Sequence, residues 1–152
     1  GYGAKPEVPF KQQLLDELEG QLDLDRIHFL GRVPYTDFQR LLMLSRCHVY
    51  LTIPFVLSWS LMESMAAGCV VVGSNTAPLQ EVIRHGENGL LVDFFDSAAL
   101  ADQVAAVLAD PASYEPLRLA ARRTIVEGYA RDHCLQQHLD LIEAARRGEA
   151  WS

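Results

Sequence analysis

The chain has little of several things that would direct its chemistry. It has three cysteines in 152 residues, at positions 47, 69 and 134. They are odd in number and widely spaced. That argues against a disulfide framework or a zinc site and for reduced, partly buried thiols in a cytoplasmic protein. There is no excess of basic residues. Thirteen Lys and Arg stand against twenty Asp and Glu, for a net charge of −7. Nucleic acids and anionic membrane surfaces need basic patches, so neither is an expected partner. No apolar run reaches the roughly 18 unbroken residues of a membrane-spanning helix. The sequence also lacks a phosphate-binding P-loop, a Gly-x-Ser-x-Gly elbow, a Cys-x-x-Cys pair, an internal repeat and a low-complexity tract. His133 and His138 are five apart, which does not place them on one helix face, so no metal pair is read there. His28 and His48 fall in strand-like runs and read as ordinary, partly buried histidines.

What the chain does have is apolar content, at 49% of residues, and a length suited to one domain. The central stretch, His48 to Gly73, reads as strand, turn, helix, strand. His48–Thr52 is β-rich and apolar. Pro54 breaks any helix continuing from it. A helix begins near Ser58–Glu63, and Gly68 stops it. Cys69–Val72 has the unbroken apolar character of a strand buried on both faces. Free N–H groups and the helix dipole at such a strand-to-helix junction favour an anion.

Helices are expected at Phe10–Leu22, after Thr36 (a capping box, Thr36-Asp37-Phe38-Gln39), at Leu79–Arg84, at Ser97–Leu108 with Asp96 as N-cap, at Tyr114–Gly128 and at Arg131–Arg147. Apolar faces are Phe38, Leu41 and Leu42; Leu100, Val104 and Leu108; Leu117, Ala121 and Ile125; and Leu135, Leu139 and Ile142. Residues 1–9 read as a loop, and the last few residues as frayed. Strands are expected from Arg26, His48, Cys69 and Leu90. Strands alternating with helices point to an α/β fold, a parallel Rossmann-like sheet with helices on both faces.

Four blocks, in this order, resemble the donor-binding domain of retaining glycosyltransferases of family 4 (glycosyl transferases group 1, GT-B fold). They are Ile27–Pro34 (IHFLGRVP), Leu61–Gly73 (LMESMAAGCVVVG), Ala77–Val82 (APLQEV) and Gly86–Asp93 (GENGLLVD). The resemblance implies transfer of a sugar from a nucleotide-diphosphate sugar to an acceptor with retention, and it implies no metal or other cofactor. It also implies that this chain is the C-terminal part of a longer protein. The partners would be the nucleotide-sugar donor and an N-terminal acceptor domain.

The family carries two glutamates with seven residues between them. The second contacts the donor ribose, and Glu63 matches it. A carboxylate suits that task because it accepts hydrogen bonds from two vicinal hydroxyls. The first falls at position 55, which is Phe55 here, so the catalytic residue is left unassigned. Val56, Leu57 and Ser58 replace the usual Gly-Phe-Gly. By position, the backbone of Ser58, Trp59 and Ser60 would cradle the diphosphate, and Val33 would flank the nucleobase.

Plainer readings stand beside these. Ser60-Leu61-Met62-Glu63 also has the form of a capping box, with Glu63 bonding its own helix start. Glu81 fits a first-turn acid favouring its helix dipole. Phe55 and Trp59 fit core or wall positions, and Arg32 a surface charge. The alternative for the whole chain is a degenerate, non-catalytic Rossmann-like module, favoured by Phe55. A receiver-type domain lacks support, because these strand ends offer Thr52 and Gly73 in place of an acidic cluster.

Overall fold

The computed structural model describes residues 8–52 and 57–149. Pro54, Phe55 and Val56, most of the loop read at 1–9, and the chain end at 150–152 lie outside them. The chain divides into two compact units, Gly1–Val33 and Pro34–Ser152.

In the first unit, helix α1 (Phe10–Glu17) is shorter than the apolar spacing predicts. The chain leaves the helix at Leu18 and turns through Gly20, whose φ of 74° suits glycine. Leu14, Leu15, Leu18 and Leu22 still share one apolar hollow with Phe10 and Phe29, and the Lys11 ammonium sits 4.0 Å over the Phe29 ring. The strand expected from Arg26 does not form. Leu24–Arg26 is a single 3-10 turn, and residues 27–30 pair with no strand among the described residues. The run is β-prone, but a strand needs a ladder partner as well as propensity.

The second unit holds the sheet. β1 (Cys47–Tyr50), β2 (Val70–Ser74) and β3 (Leu90–Val92) lie in the order β1-β2-β3, all parallel. Every residue of the central strand β2 is buried, as its unbroken apolar run requires. Alternation along β2 splits the core in two. Val71 faces Leu61, Met65, Leu79, Ile83, Ala121 and Ile125. Val70 and Val72 face Leu90, Val92, Val107 and Leu117. Helices α3 (Trp59–Ala66) and α6 (Glu115–Gly128) supply the first layer, and α5 (Ser97–Ala109) contributes Val107 to the second.

Local signals place most boundaries. Asp96 caps α5, its Oδ1 accepting from the Ala99 N–H at 2.8 Å. Asp110 and Pro111 end α5, but a 3-10 turn over Pro111–Tyr114 intervenes before α6. The Asp110 carboxylate accepts from the Ser113 hydroxyl and N–H there, and these bonds hold its pKa below the usual value. Helix α7 (Arg131–Arg147) has the expected limits.

Several expectations are corrected. Helix α2 (Tyr35–Leu44) begins at Tyr35 with Pro34 before it, so Thr36 lies inside the helix and caps nothing. Proline's fixed φ, here −56°, already sets the helix entry. Within α2, Leu42 is buried and Phe38 half-buried, whereas Leu41 is exposed. In α5 the stripe runs through Leu100, Val104 and buried Val107, leaving Leu108 outside, because the burial period steps by three at that turn. In α7, Leu135, Leu139 and Ile142 remain exposed. Helix α4 (Ala77–Gln80) is one turn long and ends before Glu81. Glu81 therefore stands at its C-terminal end and is not a first-turn acid.

Two arginines of α6 hold the tail of α3. Arg118 Nε donates to the Gly68 carbonyl at 2.6 Å, and Arg122 donates to the Ala66 carbonyl. Cations there complement both the orphan carbonyls and the dipole of α3. Gly68, at φ 79°, supplies the left-handed stop.

Candidate functional site

In a parallel sheet, the strand ends at the carboxyl edge deliver successive loops to one side. At this edge β1 and β2 are clasped side to side. The Thr52 N–H donates to Ser74 Oγ, and Ser74 Oγ donates to the Thr52 carbonyl, both at 3.2 Å. Tyr50, the buried last residue of β1, turns its phenol oxygen to accept the Ser58 N–H at 3.0 Å. This pins the start of α3 over the end of β1.

Ser58 is the N-cap of α3. Its Oγ accepts the Ser60 N–H at 3.2 Å and lies 2.9 Å from Ser60 Oγ. The Ser58 and Ser60 N–H groups are thus engaged within the protein, and the two hydroxyls stand together at the helix mouth. Trp59 opens the helix and is 81% exposed. It is a wall residue with an open face and not part of the core.

Glu63 lies one turn further along α3 and is half-buried. The capping-box reading of Glu63 is overturned, because Ser58 caps the helix and Glu63 Oε1 accepts the Tyr35 hydroxyl at 2.6 Å. That bond joins α2 to α3 across 28 residues of sequence. It also raises the Tyr35 pKa above its ordinary value, since the proton is shared with an anion; desolvation and the Glu63 charge add to the effect.

Ser58, Trp59 and Glu63 come together on the wall of one open cavity of about 390 Å3, completed by Leu57, Met62, Ala66, Ile125, Tyr129 and Cys134. The wall is mostly apolar, with Ser58 and Glu63 as its polar edge. Ser60 reaches the site through its hydroxyl contact to Ser58. Val33, half-buried, belongs to the first unit, and Arg32 is exposed there. Phe55 lies outside the described residues.

Sequence reasoning missed Tyr35 and Tyr50. Neither carries a local signal, because each acts on a residue brought to it by the fold. The cysteines are free thiols, with Cys69 buried and the other two half-buried. Burial, and next to it Cys69, pushes the Cys47 thiol up to about 11. Burial lowers the pKa of His48, which is half-buried, whereas His28 is exposed. Among the described residues no group of His, Cys, Asp and Glu side chains gathers as a metal site would, and no helix is long and apolar enough to cross a membrane.

Comparisons with known proteins agree with this architecture. N-acetyl-alpha-D-glucosaminyl L-malate synthase of Bacillus anthracis is 28% identical over 136 residues, covering 90% of this chain and 34% of that protein. This chain therefore spans about a third of the length of that relative. Sucrose-phosphate synthase of Thermosynechococcus elongatus superimposes with a TM-score of 0.78 at 25% identity, over 97% of this chain and 38% of the other. HepE of Anabaena, solved in complex with UDP-glucose, superimposes with a TM-score of 0.78 at 21% identity, over 88% of this chain and 36% of the other. The expected fold, the C-terminal half of a GT-B architecture, is the one observed. The sequence model for glycosyl transferases group 1 matches residues 6–124, most of the chain, and the protein belongs to that family.

Proposed function

We propose that the carboxyl edge of the sheet is the donor half of a glycosyltransferase site. The whole enzyme moves a sugar from a nucleotide diphosphate to an acceptor with retention of configuration. Glu63 accepts the vicinal hydroxyls of the donor ribose. Ser58, Trp59 and Ser60 receive the diphosphate at the mouth of α3. With the Ser58 and Ser60 N–H groups engaged internally and one of the two hydroxyl protons spent on the Ser58–Ser60 contact, the other hydroxyl and the Trp59 N–H are the donors in this reading. The positive end of the helix dipole stabilises charge on the leaving diphosphate. An N-terminal domain outside this chain binds the acceptor.

One observation carries the reading. Glu63 and the Ser58 N-cap, on one helix that follows a parallel strand, share a single cavity wall. HepE, a fold neighbour solved with UDP and with UDP-glucose, supports a nucleotide-diphosphate sugar as the donor class.

The test is a titration of the chain with UDP, GDP and ADP, repeated on Glu63→Gln. The substitution keeps the shape and removes the charge that strengthens hydrogen bonds from hydroxyls, so affinity should fall by about tenfold. Unchanged affinity in a chain that binds one of the three would remove Glu63 from the ribose. Phe55, standing where the family has a glutamate, favours a second reading in which the site binds donor without turning it over. Sugar transfer by the full-length protein excludes that reading, and binding without transfer supports it.

A further inference from the structure

We infer that Tyr35 is a positioning residue for the donor site: its hydroxyl, bonded to Glu63 Oε1, holds the carboxylate in the rotamer that meets the ribose. The inference rests on the ribose role proposed for Glu63.

Glu63 needs such a holder. A glutamate has three rotatable side-chain bonds, and this one is only half-buried on the rim of an open cavity. No ion pair to Glu63 occurs among the described residues. Tyr35 is set to act on it. It is the first residue of α2, directly after Pro34, and its ring centroid lies 6.5 Å from that of Phe38. The tyrosine side chain is stiff, with few torsions to order. At 2.6 Å the O–H···O⁻ bond has the length of a charge-assisted contact.

The arithmetic of acceptors leaves room for the ligand. A carboxylate offers about four lone-pair sites, and one phenol proton uses one of them. Oε2 and the remaining site on Oε1 stay available to two ribose hydroxyls. The elevated pKa of Tyr35 means that the phenol keeps its proton, and therefore its role as donor, throughout the neutral range.

A purely structural tie between α2 and α3 would act on every ligand alike. A positioning role acts only on ligands that engage Glu63 through the ribose. The full chain, Tyr35→Phe and Glu63→Gln are therefore titrated by calorimetry with UDP, GDP and ADP and with their 2′,3′-dideoxy forms, which lack both hydroxyls that Glu63 accepts. Tyr35 is 58% exposed, so losing the hydroxyl leaves the core intact, and circular dichroism verifies the fold. The wild-type chain should prefer the ribo form of the nucleotide it binds. In Tyr35→Phe that preference should drop about three- to tenfold, the usual cost of ordering one flexible side chain on binding, with 2′,3′-dideoxy affinity unchanged. In Glu63→Gln the preference should drop further.

If Tyr35→Phe keeps the full preference, or weakens both forms equally, while Glu63→Gln abolishes it, the positioning role is overturned and the ribose role stands. If Glu63→Gln leaves the preference intact, or if no nucleotide binds the wild-type chain, the ribose role falls and the Tyr35 inference falls with it.

Discussion

Asn88 offers the most direct test of how the turn between α4 and β3 is held. It is 5% exposed in the turn that leads into β3. Its amide donates to the Val82 carbonyl and to Thr124 Oγ1, both at 3.0 Å, and its Oδ1 accepts the Arg84 N–H at 2.7 Å. The side chain thus replaces the ladder that this segment lacks and ties it to α6. Asn88→Ala removes three bonds, each contributing about 1 kcal/mol net, for a loss of about 3 kcal/mol. Arg84 is exposed and Thr124 half-buried, so water reaches their freed groups, whereas the Val82 carbonyl is left unpaired in a buried place, so the loss is at least that sum. For a chain of this size the melting temperature should fall by roughly 6–12 °C. Urea unfolding followed by circular dichroism measures the loss, with the m-value unchanged.

Asn88→Asp sharpens the test. It puts a carboxylate where two acceptors wait for donors, so its folded pKa must rise above the ordinary aspartate value. The contribution of a group with a raised folded pKa is fully present below its unfolded pKa and lost as pH rises through the folded one. The aspartate variant should therefore be nearer to wild type at pH 4 than at pH 7. A loss under about 1 kcal/mol for the alanine variant, which is one hydrogen bond's worth, together with a flat pH response for the aspartate variant, would refute the account.

Two further outcomes follow from the core. A Cβ at Gly73 would meet Leu79 Cδ2 at 2.5 Å and the Tyr50 carbonyl at 3.3 Å, so Gly73→Ala should cost about 1–3 kcal/mol as overpacking; an unchanged urea midpoint contradicts this. Cys47, pushed up to about 11 mainly by burial, should resist iodoacetamide at pH 9 in the folded chain and react once urea unfolds it. By the same linkage, its contribution to stability is intact below the ordinary thiol pKa and disappears as pH rises through about 11. Equal alkylation rates in the folded and unfolded chain would show the thiol to be accessible and unperturbed.

Elements with a strong local signature were legible from the residues alone. The Val70–Val72 run could only be a doubly covered strand, and Asp96 announced its cap. The limits of α7 also followed from pattern. What failed depended on partners that pattern does not contain. Ile27–Leu30 is as β-prone as β1, but no strand pairs with it among the described residues. Thr36 and Ser60 each sit three residues before a Gln or Glu, yet the chain starts both helices earlier, at Tyr35 and Trp59. Glu63 is singled out by resemblance alone, whereas its hydrogen-bond partner Tyr35 is invisible there, because a contact 28 residues distant leaves no trace in local spacing.

The arginine clasp on the tail of α3 has a mechanical consequence. Arg118 and Arg122 are rooted in α6, 50 and 56 residues downstream of the carbonyls they grip. Helix α3 is eight residues long, so its two ends are about 12 Å apart. Gripped at its tail by α6, tethered at its start through Tyr50 and along its length through Tyr35, it is held as a short lever. A shift of α6 would therefore reach Ser58 and Glu63 through the carbonyls that Arg118 and Arg122 grip.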